Sequence, residues 1–391
     1  MWMGVILNLI LLGFYKYTGF FLNTLEAFIP FTLHYSEPSL PIGISFFTFS
    51  GISYLVDTHN EVNPAEKNLI RFTSYLIMFP KLLQGPIARF IDIKNELYNP
   101  QLIPLRTIEG FRRFIGGLAK KVILADSLAK ATSPIFNGNY SQLGAGVAWF
   151  GLIAFTLQIY LDFSGYTDMA VGIGQMFGFN LPENFNFPYI SRSISDFWRR
   201  WHMTLGTWLR TYLFFPLEFA RKKVKHFRLQ SNLFIVFLII GFWHGASWNF
   251  ILWGAFYGVI LAIEAVGFGK TLKKAPIIIQ HAYSLALIMI GWVFFRITDI
   301  QHWGAFFSAL LGGNGWQNAA TLRSLNILFY VPFLIPAIFF SLPFMHQLGE
   351  KFKAKGGTHL LVLDLFYILL FLFTVTFILS KGFVPFMYIE F

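Results

Sequence analysis

The sequence predicts an all-α protein, a polytopic bundle of transmembrane helices, and three observations support this fold class. Of the 391 residues, 55% are hydrophobic and only 13% are charged, about half of the roughly 25% that a soluble domain carries. A soluble core could not bury all 49 Phe and 11 Trp side chains, whereas a bilayer can solvate them. Several apolar runs approach the length of about 20 residues that a helix needs to cross a membrane. These observations exclude a soluble enzyme, a disordered scaffold and a fibrous repeat.

The apolar runs place the predicted spans along the chain. The clear candidates are Leu143–Leu161, Asn232–Phe242 continuing through Trp248–Val266, Ile277–Phe295, Asn326–Leu342 and Leu360–Leu379. Three further runs are less clean, namely Trp2–Leu22, Ile42–Val56 and Leu69–Leu83. Because no repeat or interdomain linker separates these runs, we predict one membrane-embedded domain over residues 1–391.

Basic clusters between the apolar runs indicate which loops face the cytoplasm. The net charge is +11, and its Lys and Arg residues are concentrated in short clusters, as in the cytoplasmic loops of membrane proteins. The clusters are Arg221–Arg228, Lys270–Lys274, Lys351–Lys355 and an amphipathic one at Arg112–Lys121. This pattern favours a lipid bilayer over nucleic acid as the partner. The absence of Cys excludes disulfides, thiolate metal sites and a Cys nucleophile, and no metal-ligand spacing is present, so we predict no metal.

The segment between two of these clusters predicts an unusually short hairpin. If both clusters are cytoplasmic, two helices and a turn must fit between Arg228 and Gly267. Each arm then has about 15–18 residues, roughly 22–27 Å at the α-helical rise, which is less than the hydrocarbon core of about 30 Å. We therefore expect the turn to lie within the membrane, where irregular backbone is tolerated only if protein buries it or it lines a cavity.

The turn of this hairpin contains the first candidate site, Trp243-His244-Gly245-Ala246-Ser247, followed by the polar Asn249. An ionisable side chain at membrane depth is costly and indicates function. Histidine is also the side chain most readily used as a base near neutral pH. From these residues alone, a catalytic His244 and a packing histidine satisfied by a neighbouring helix are equally supported.

A second candidate site lies in residues 185–210, which are too charged to span and too aromatic to form a free loop. We predict helices that lie in the interface or line a pocket.

Within this segment, the string Trp198-Arg199-Arg200-Trp201-His202 combines groups that can hold a substrate. The adjacent arginines can bind phosphates or a carboxylate, the tryptophans can stack on a nucleotide base, and His202 can orient a substrate or share proton transfer with the histidine of the turn. The alternative, slightly favoured by these residues alone, is a Trp/Arg anchor that faces lipid headgroups.

Two carboxylates, Asp162 and Asp168, follow a long apolar run. We expect Ser164 and Thr167 between them to cap a new helix, so that the first helix breaks inside the membrane. The carboxylates are expected to pair with the arginines of the second candidate site, and structural pairing is favoured over acid–base chemistry.

The segment Phe79–Arg89 is interrupted by Pro and Gly. We interpret it as a re-entrant turn in which Gln84 and Arg89 are polar residues of a pocket. The chain has no Walker loop, dinucleotide fingerprint, HExxH or GxSxG motif, which excludes several common enzyme classes.

Taken together, these segments resemble the membrane-bound O-acyltransferase superfamily, and within it the bacterial branch that O-acetylates polysaccharides. The matching strings are Pro41–Asp57, Gln84–Arg89, Asp162–Ala170, Pro182–Pro188, Ser195–His202, Trp243–Asn249 and the terminal Phe386–Phe391. They recur in order over most of the chain. The resemblance implies re-entrant and interfacial helices around a central funnel, in a multi-pass protein of the bacterial cytoplasmic membrane. Because members usually have two or three more apolar segments before the equivalent of Met1–Val5, we expect N-terminal helices to be lacking here.

The resemblance also implies the chemistry. The family's presumed catalytic histidine matches His244, and its second marked histidine matches His202. The implied reaction moves an acetyl group from a cytoplasmic donor, acetyl-CoA, for O-acetylation of an extracytoplasmic polysaccharide, with no resident cofactor and with a periplasmic acetyltransferase as partner. We expect His244 to act as general base or to carry the acetyl group, and His202 to hold the thioester carbonyl or the acceptor.

The implied substrate and donor contacts form a larger set. The donor phosphates are expected to meet a basic rim of Arg199 and Arg200, with Arg89 or Lys225. The complete set of binding candidates is Arg199, Arg200, Trp198, Trp201, Asp162, Asp168, Gln84 and Asn249.

Two other functions stay open on the sequence. A transporter or flippase would use the histidines as a proton relay, would release no CoA and would usually contain inverted repeats, which the sequence does not show. An O-acyltransferase that acts on lipid or protein is the other alternative.

Overall fold

The structure is a computed structural model that describes residues 1–29, 35–36, 38–316 and 326–381. Within these ranges every regular element is a helix and no β-strand occurs, which confirms the predicted all-α class. The terminal string Phe386–Phe391 lies outside the described residues.

The described helices are numbered here in chain order. They are α1 Trp2–Glu26, α2 Ile44–His59, α3 Leu69–Leu76, α4 Phe79–Leu82, α5 Phe90–Tyr98, α6 Pro104–Ala119, α7 Asp126–Phe136, α8 Ala145–Met176, α9 Ile194–Trp198, α10 Met203–Leu209, α11 Phe215–Ala220, α12 Arg228–His244, α13 Trp248–Ile263, α14 Gly269–Leu272, α15 Ile277–Arg296, α16 Trp303–Leu310, α17 Ile327–Ser341, α18 Pro343–Lys355 and α19 Gly357–Lys381. The π-helical turns Lys120–Ala125, Arg210–Phe214 and Glu264–Phe268 join α6 to α7, α10 to α11 and α13 to α14.

Five of the described helices are long and apolar enough to cross a bilayer, by length and composition. They are α1, α8, α13 with its continuation to Leu272, α15 and α19 through Ser380. Helices α17 and α18, bent by 62° against each other, give a sixth if they are counted as one span. The protein is therefore a multi-pass membrane protein, as predicted. The run Leu69–Leu83 was wrongly predicted as a span, because α3 ends at Leu76 and the separate, short α4 begins at Phe79, with Pro80 in its first turn.

Helix α8 is the central element, and 78% of its apolar window is buried. It runs without interruption through Asp162 and Asp168, so the predicted helix break is wrong. The carboxylates remain in the helix because cations from the neighbouring helical segment neutralise them. Lys121 Nζ lies 2.6 Å from Asp162, while Arg113 and Lys120 lie 2.9 Å and 2.7 Å from Asp168.

The predicted short hairpin is confirmed, with arms of 17 residues in α12 and 16 in α13. Glycines allow the arms to pack backbone to backbone. A Cβ atom on Gly241 would lie 2.2 Å from the Phe250 carbonyl oxygen, and one on Gly254 would lie 2.3 Å from the Phe237 oxygen. Gly245 and Ser247, between the arms, have extended backbone, and His244 is the last residue of α12.

Candidate active site

His202 lies at the junction of α9 and α10 and is buried, with 2% of its surface exposed. Its Nδ1 lies 3.0 Å from Oδ1 of Asn184. The same oxygen accepts hydrogen bonds from the backbone N–H of Thr204, at 3.3 Å, and from its hydroxyl, at 2.8 Å. Because an amide oxygen must face the Thr204 N–H, the Nδ1 of His202 donates its proton to Asn184.

This hydrogen bond fixes the tautomer of His202. With the proton on Nδ1, the neutral ring carries its lone pair on Nε2. Nε2 is buried and has no hydrogen-bond partner among the described residues. It can therefore accept a hydrogen bond from a substrate O–H or N–H, whereas a carbonyl oxygen would offer it no donor. Of the two roles expected for His202, holding the acceptor fits this tautomer better.

His244 is also buried, with 4% of its surface exposed, and its ring lies in an aromatic cage. The ring centroids of Trp243, Trp253 and Phe295 lie 5.0, 5.1 and 5.7 Å from the centroid of His244. These residues come from α12, α13 and α15, so the ring faces the interior of the bundle. The backbone carbonyls at this end of α12 are capped by Lys16 of α1, whose Nζ donates to the Trp243 oxygen at 2.6 Å.

Both histidines lie close to one residue, Trp243. The centroid of its ring lies 6.3 Å from that of His202 and 5.0 Å from that of His244. The fold thus brings together the two candidate sites, which are far apart in the sequence.

Glu264 anchors the segment that leads into His202. Its carboxylate is buried and accepts hydrogen bonds from the backbone N–H of Ile194 at 2.8 Å and of Ser195 at 2.9 Å. It also accepts from the hydroxyls of Ser195 and Tyr283. A carboxylate at the beginning of α9 satisfies N–H groups that have no partner within the helix, and so fixes the chain that continues into the Trp-Arg-Arg-Trp-His string.

The two predicted phosphate-binding arginines differ in their surroundings. Arg200 is largely covered and contacts Asp196 at 3.3 Å and the Asn186 carbonyl at 3.2 Å. Arg199 is 66% exposed and reaches Asp196 only at 3.5 Å, so it is the better placed of the pair to meet an anion. Of the other rim residues, Arg89 is engaged by Asp92 at 2.8 Å.

The tryptophans of this string lie inside the bundle. Trp201 is buried, stacks on Phe197 with the ring centroids 5.5 Å apart, and contacts Trp292. The headgroup anchor and the stacking on a nucleotide base are therefore both wrong for Trp201, because the ring is enclosed by protein. The ring of Trp198 is in edge contact with Phe237 and Trp253.

The predicted partners of Asp162 and Asp168 are also wrong. Both carboxylates pair with cations, as expected for structural residues. The cations are Arg113, Lys120 and Lys121. Arg199 and Arg200 pair with Asp196 in their own segment instead. The aspartates therefore join α6 and its continuation to α8.

Gln84 and Asn249 are buried and keep unused hydrogen-bonding capacity. Neither side-chain atom of Gln84 has a partner within the part of the chain that the structure describes. Asn249 donates to the carbonyls of Phe294 and Phe295, at 3.3 and 3.4 Å, while its Oδ1 has no described partner. Such groups are uncommon in native cores, and both stay candidates for substrate contacts.

A cavity of about 710 Å³ lies against the turn after His244 and is lined by Lys16, Ser247 and Trp248, among others. A second cavity, of about 570 Å³, lies beside α5 and the beginning of α6. Neither cavity is lined by the histidine rings, so the predicted central funnel stays a prediction.

Sequence reasoning missed three residues that position this site: Asn184, Glu264 and Lys16. Asn184 carried a signal, because it lies in the string Pro182–Pro188 that was already singled out. The other two are single polar residues in apolar runs, and polar residues in such runs are generally functional or paired.

Comparisons with known proteins identify the family of the chain. The model of a family described as MBOAT, membrane-bound O-acyltransferase family, matches residues 43–297, which include both histidines. A protein named probable alginate O-acetylase AlgI, from Pseudomonas syringae pv. tomato, is 40% identical over 367 residues, covering 91% of this chain and 69% of the relative.

Two further relatives extend the comparison. A protein of the same name from Pseudomonas putida is 36% identical over 412 residues, covering 100% of this chain and 84% of the relative. A peptidoglycan O-acetyltransferase from Helicobacter pylori is 36% identical over 347 residues, covering 80% of this chain and 64% of the relative. The chain thus spans part of the length of each relative.

Proposed function

The chain belongs to the membrane-bound O-acyltransferase family, and from this premise we propose that it moves an acetyl group from cytoplasmic acetyl-CoA for O-acetylation of an extracytoplasmic polysaccharide. The observation that carries the proposal is that His202 and His244, both buried in the bundle, each lie in ring contact with Trp243. Relatives named alginate O-acetylase and peptidoglycan O-acetyltransferase support acetyl as the acyl group and a polysaccharide as the acceptor.

In the proposed reaction, the oxygen of an acceptor hydroxyl attacks the thioester carbonyl carbon while His244 takes the hydroxyl proton. The C–S bond then breaks, and the thiolate leaves as CoA after taking from His244 the proton that the hydroxyl gave up. His202 holds the acceptor by accepting a second hydrogen bond from it at Nε2. Burial of both rings excludes water, which protects the activated acetyl group from hydrolysis.

The donor would approach from the cytoplasmic side. We place the basic clusters of residues 221–228, 270–274 and 351–355 on that side, as the positive-inside rule requires. Exposed Arg199 and Lys225 are available there to meet the donor phosphates. On the other side, a periplasmic acetyltransferase is the proposed partner that places the acetyl group on the polymer. This orientation corresponds to the bacterial cytoplasmic membrane.

The purified chain in proteoliposomes tests the class of reaction. With acetyl-labelled CoA on one side, and the partner and polysaccharide on the other, we expect free CoA on the first side and O-acetyl label on the polymer. A transporter would release no CoA and would move an intact substrate in response to a proton gradient. Label in lipid or protein would indicate an acyltransferase with a different acceptor. Either of these outcomes would contradict the proposal.

A further inference from the structure

We propose that the indole N–H of Trp243 is a catalytic hydrogen-bond donor that stabilises the oxyanion formed during acetyl transfer. The inference rests on the proposed function, since it assigns a role within the same site. When the acceptor oxygen bonds to the carbonyl carbon, the π electrons of the C=O bond move to the oxygen. That oxygen needs a fixed donor until the C–S bond breaks.

Trp243 carries an unused donor at the right place. Its ring neighbours both His202 and His244, at centroid distances of 6.3 and 5.0 Å, and Trp243 is 7% exposed. Nε1 is buried and has no hydrogen-bond partner in the described ranges. A buried donor without a partner is costly and uncommon, so its position beside both histidines points to a substrate atom as its partner.

His202 offers the complementary group. Nε2 of His202 is an acceptor without a described partner, and it does not pair with the Trp243 N–H although the two rings are neighbours. A reacting group between them can accept a hydrogen bond from the indole through its carbonyl oxygen. The acceptor molecule can at the same time donate to His202. In this arrangement a hydrogen-bond donor serves the carbonyl oxygen, and a hydrogen-bond acceptor serves the acceptor molecule.

Trp243 is also held by contacts on its ring and on its backbone. Its ring stacks on that of Phe49, with the centroids 5.2 Å apart and the planes 14° from parallel. Lys16 Nζ lies 5.6 Å from the centroid of the Trp243 ring while it donates to the carbonyl of the same residue. A cation beside the ring attracts its electron density, which strengthens the N–H as a donor. Rigid, preorganised donors are those that stabilise a transition state.

Three other indoles with unused N–H groups, those of Trp198, Trp253 and Trp292, are less suitable. Trp253 contacts His244 at 5.1 Å, Trp198 contacts Trp253 and Tyr257, and Trp292 contacts Phe197 and Trp201. None of the three has a described ring contact with His202. Within the described residues, Trp243 is the tryptophan whose ring contacts both histidines.

The test is the substitution Trp243→Phe, which keeps an aromatic ring on Phe49 and removes the N–H. We expect kcat for acetyl transfer to fall by about 10²–10³-fold, the cost of losing one oxyanion donor, with little change in KM for the donor. Replacement of the indole at position 243 by benzothienylalanine keeps the shape of the ring and should give the same loss. This second variant separates the N–H from packing.

The matched control is Trp208→Phe, the same substitution at a second tryptophan that stacks on Phe49, with the centroids 3.9 Å apart, and has no described ring contact with either histidine. Trp208 donates to the Phe49 carbonyl at 3.0 Å, so this variant loses a formed hydrogen bond and should be destabilised at least as much. Its kcat should nevertheless stay within about threefold of the wild type. A folded benzothienylalanine variant with wild-type kcat would overturn the inference, as would equal losses at both positions. Absence of CoA release by the wild-type chain would instead overturn the proposed function, and the inference with it.

Discussion

Replacing Glu264 with Gln should weaken the anchor of the segment that carries His202, and the structure gives the size of the effect. The Glu264 carboxylate accepts four hydrogen bonds, two from backbone N–H groups and two from hydroxyls. Each oxygen receives one backbone N–H and one hydroxyl. Whichever oxygen becomes the amide NH₂ of Gln therefore faces a backbone donor of α9 that has lost its acceptor.

The loss of stability in Glu264→Gln depends on which of these hydrogen bonds can rearrange. A hydroxyl can turn and accept from the new NH₂ group, but a backbone N–H cannot. At least one charge-assisted hydrogen bond is lost, worth about 1.5–3 kcal/mol, and one buried donor is left unsatisfied. We expect the free energy of unfolding to fall by about 2–4 kcal/mol. Because α9 leads directly into His202, kcat should fall as well, even at temperatures at which the variant remains folded.

Thermal unfolding in detergent micelles, together with steady-state acetyl transfer, measures both effects. The matched control is Glu350→Gln, which removes the charge of an exposed ion pair with Lys353, and exposed pairs contribute about 0–1 kcal/mol. If Glu264→Gln unfolds at the same temperature as Glu350→Gln and retains full kcat, the carboxylate does not anchor α9 and the reasoning is refuted.

Three further substitutions test the remaining structural arguments. Asn184→Leu removes the acceptor that fixes the His202 tautomer and should lower kcat by at least about tenfold, whereas Asn184→Asp keeps an acceptor oxygen and should retain more activity; equal kcat values for the two variants would contradict this role. Lys121→Met removes the cation that lies 2.7 Å from Asp126 and 2.6 Å from Asp162, and it should cost about 3–5 kcal/mol in unfolding experiments, part of which Asp126→Asn should restore. Gly254→Val forces a side chain against the Phe237 carbonyl and should cost more than about 1–3 kcal/mol, while Gly349→Val, which meets open space, should fold normally.

The sequence predicted those helices whose length follows from the thickness of the bilayer and from the positions of the basic loops. The α12–α13 hairpin is the best example, since the chain length between two basic clusters left room for only two short arms. The histidines at its turn and after the Trp-Arg-Arg-Trp string were found because ionisable residues are costly in apolar surroundings.

Contacts between distant residues could not be predicted in this way. The continuity of α8 depends on Lys121, which lies 41 residues before its partner Asp162. A capping motif around Ser164 and Thr167 therefore looked like a break. Similarly, Glu264 reaches back 70 residues to Ile194, and a pattern of single residues contains no information on such a pairing.

The most direct test of the account is the rate of acetyl transfer by His244→Ala in proteoliposomes, compared with His226→Ala, which changes an exposed histidine. With both variants inserted to the same level, we expect His226→Ala to match the wild type. His244→Ala should lose at least about 100-fold in rate, as expected for removal of a general base. Full activity of His244→Ala would contradict the assignment of His244 as the base.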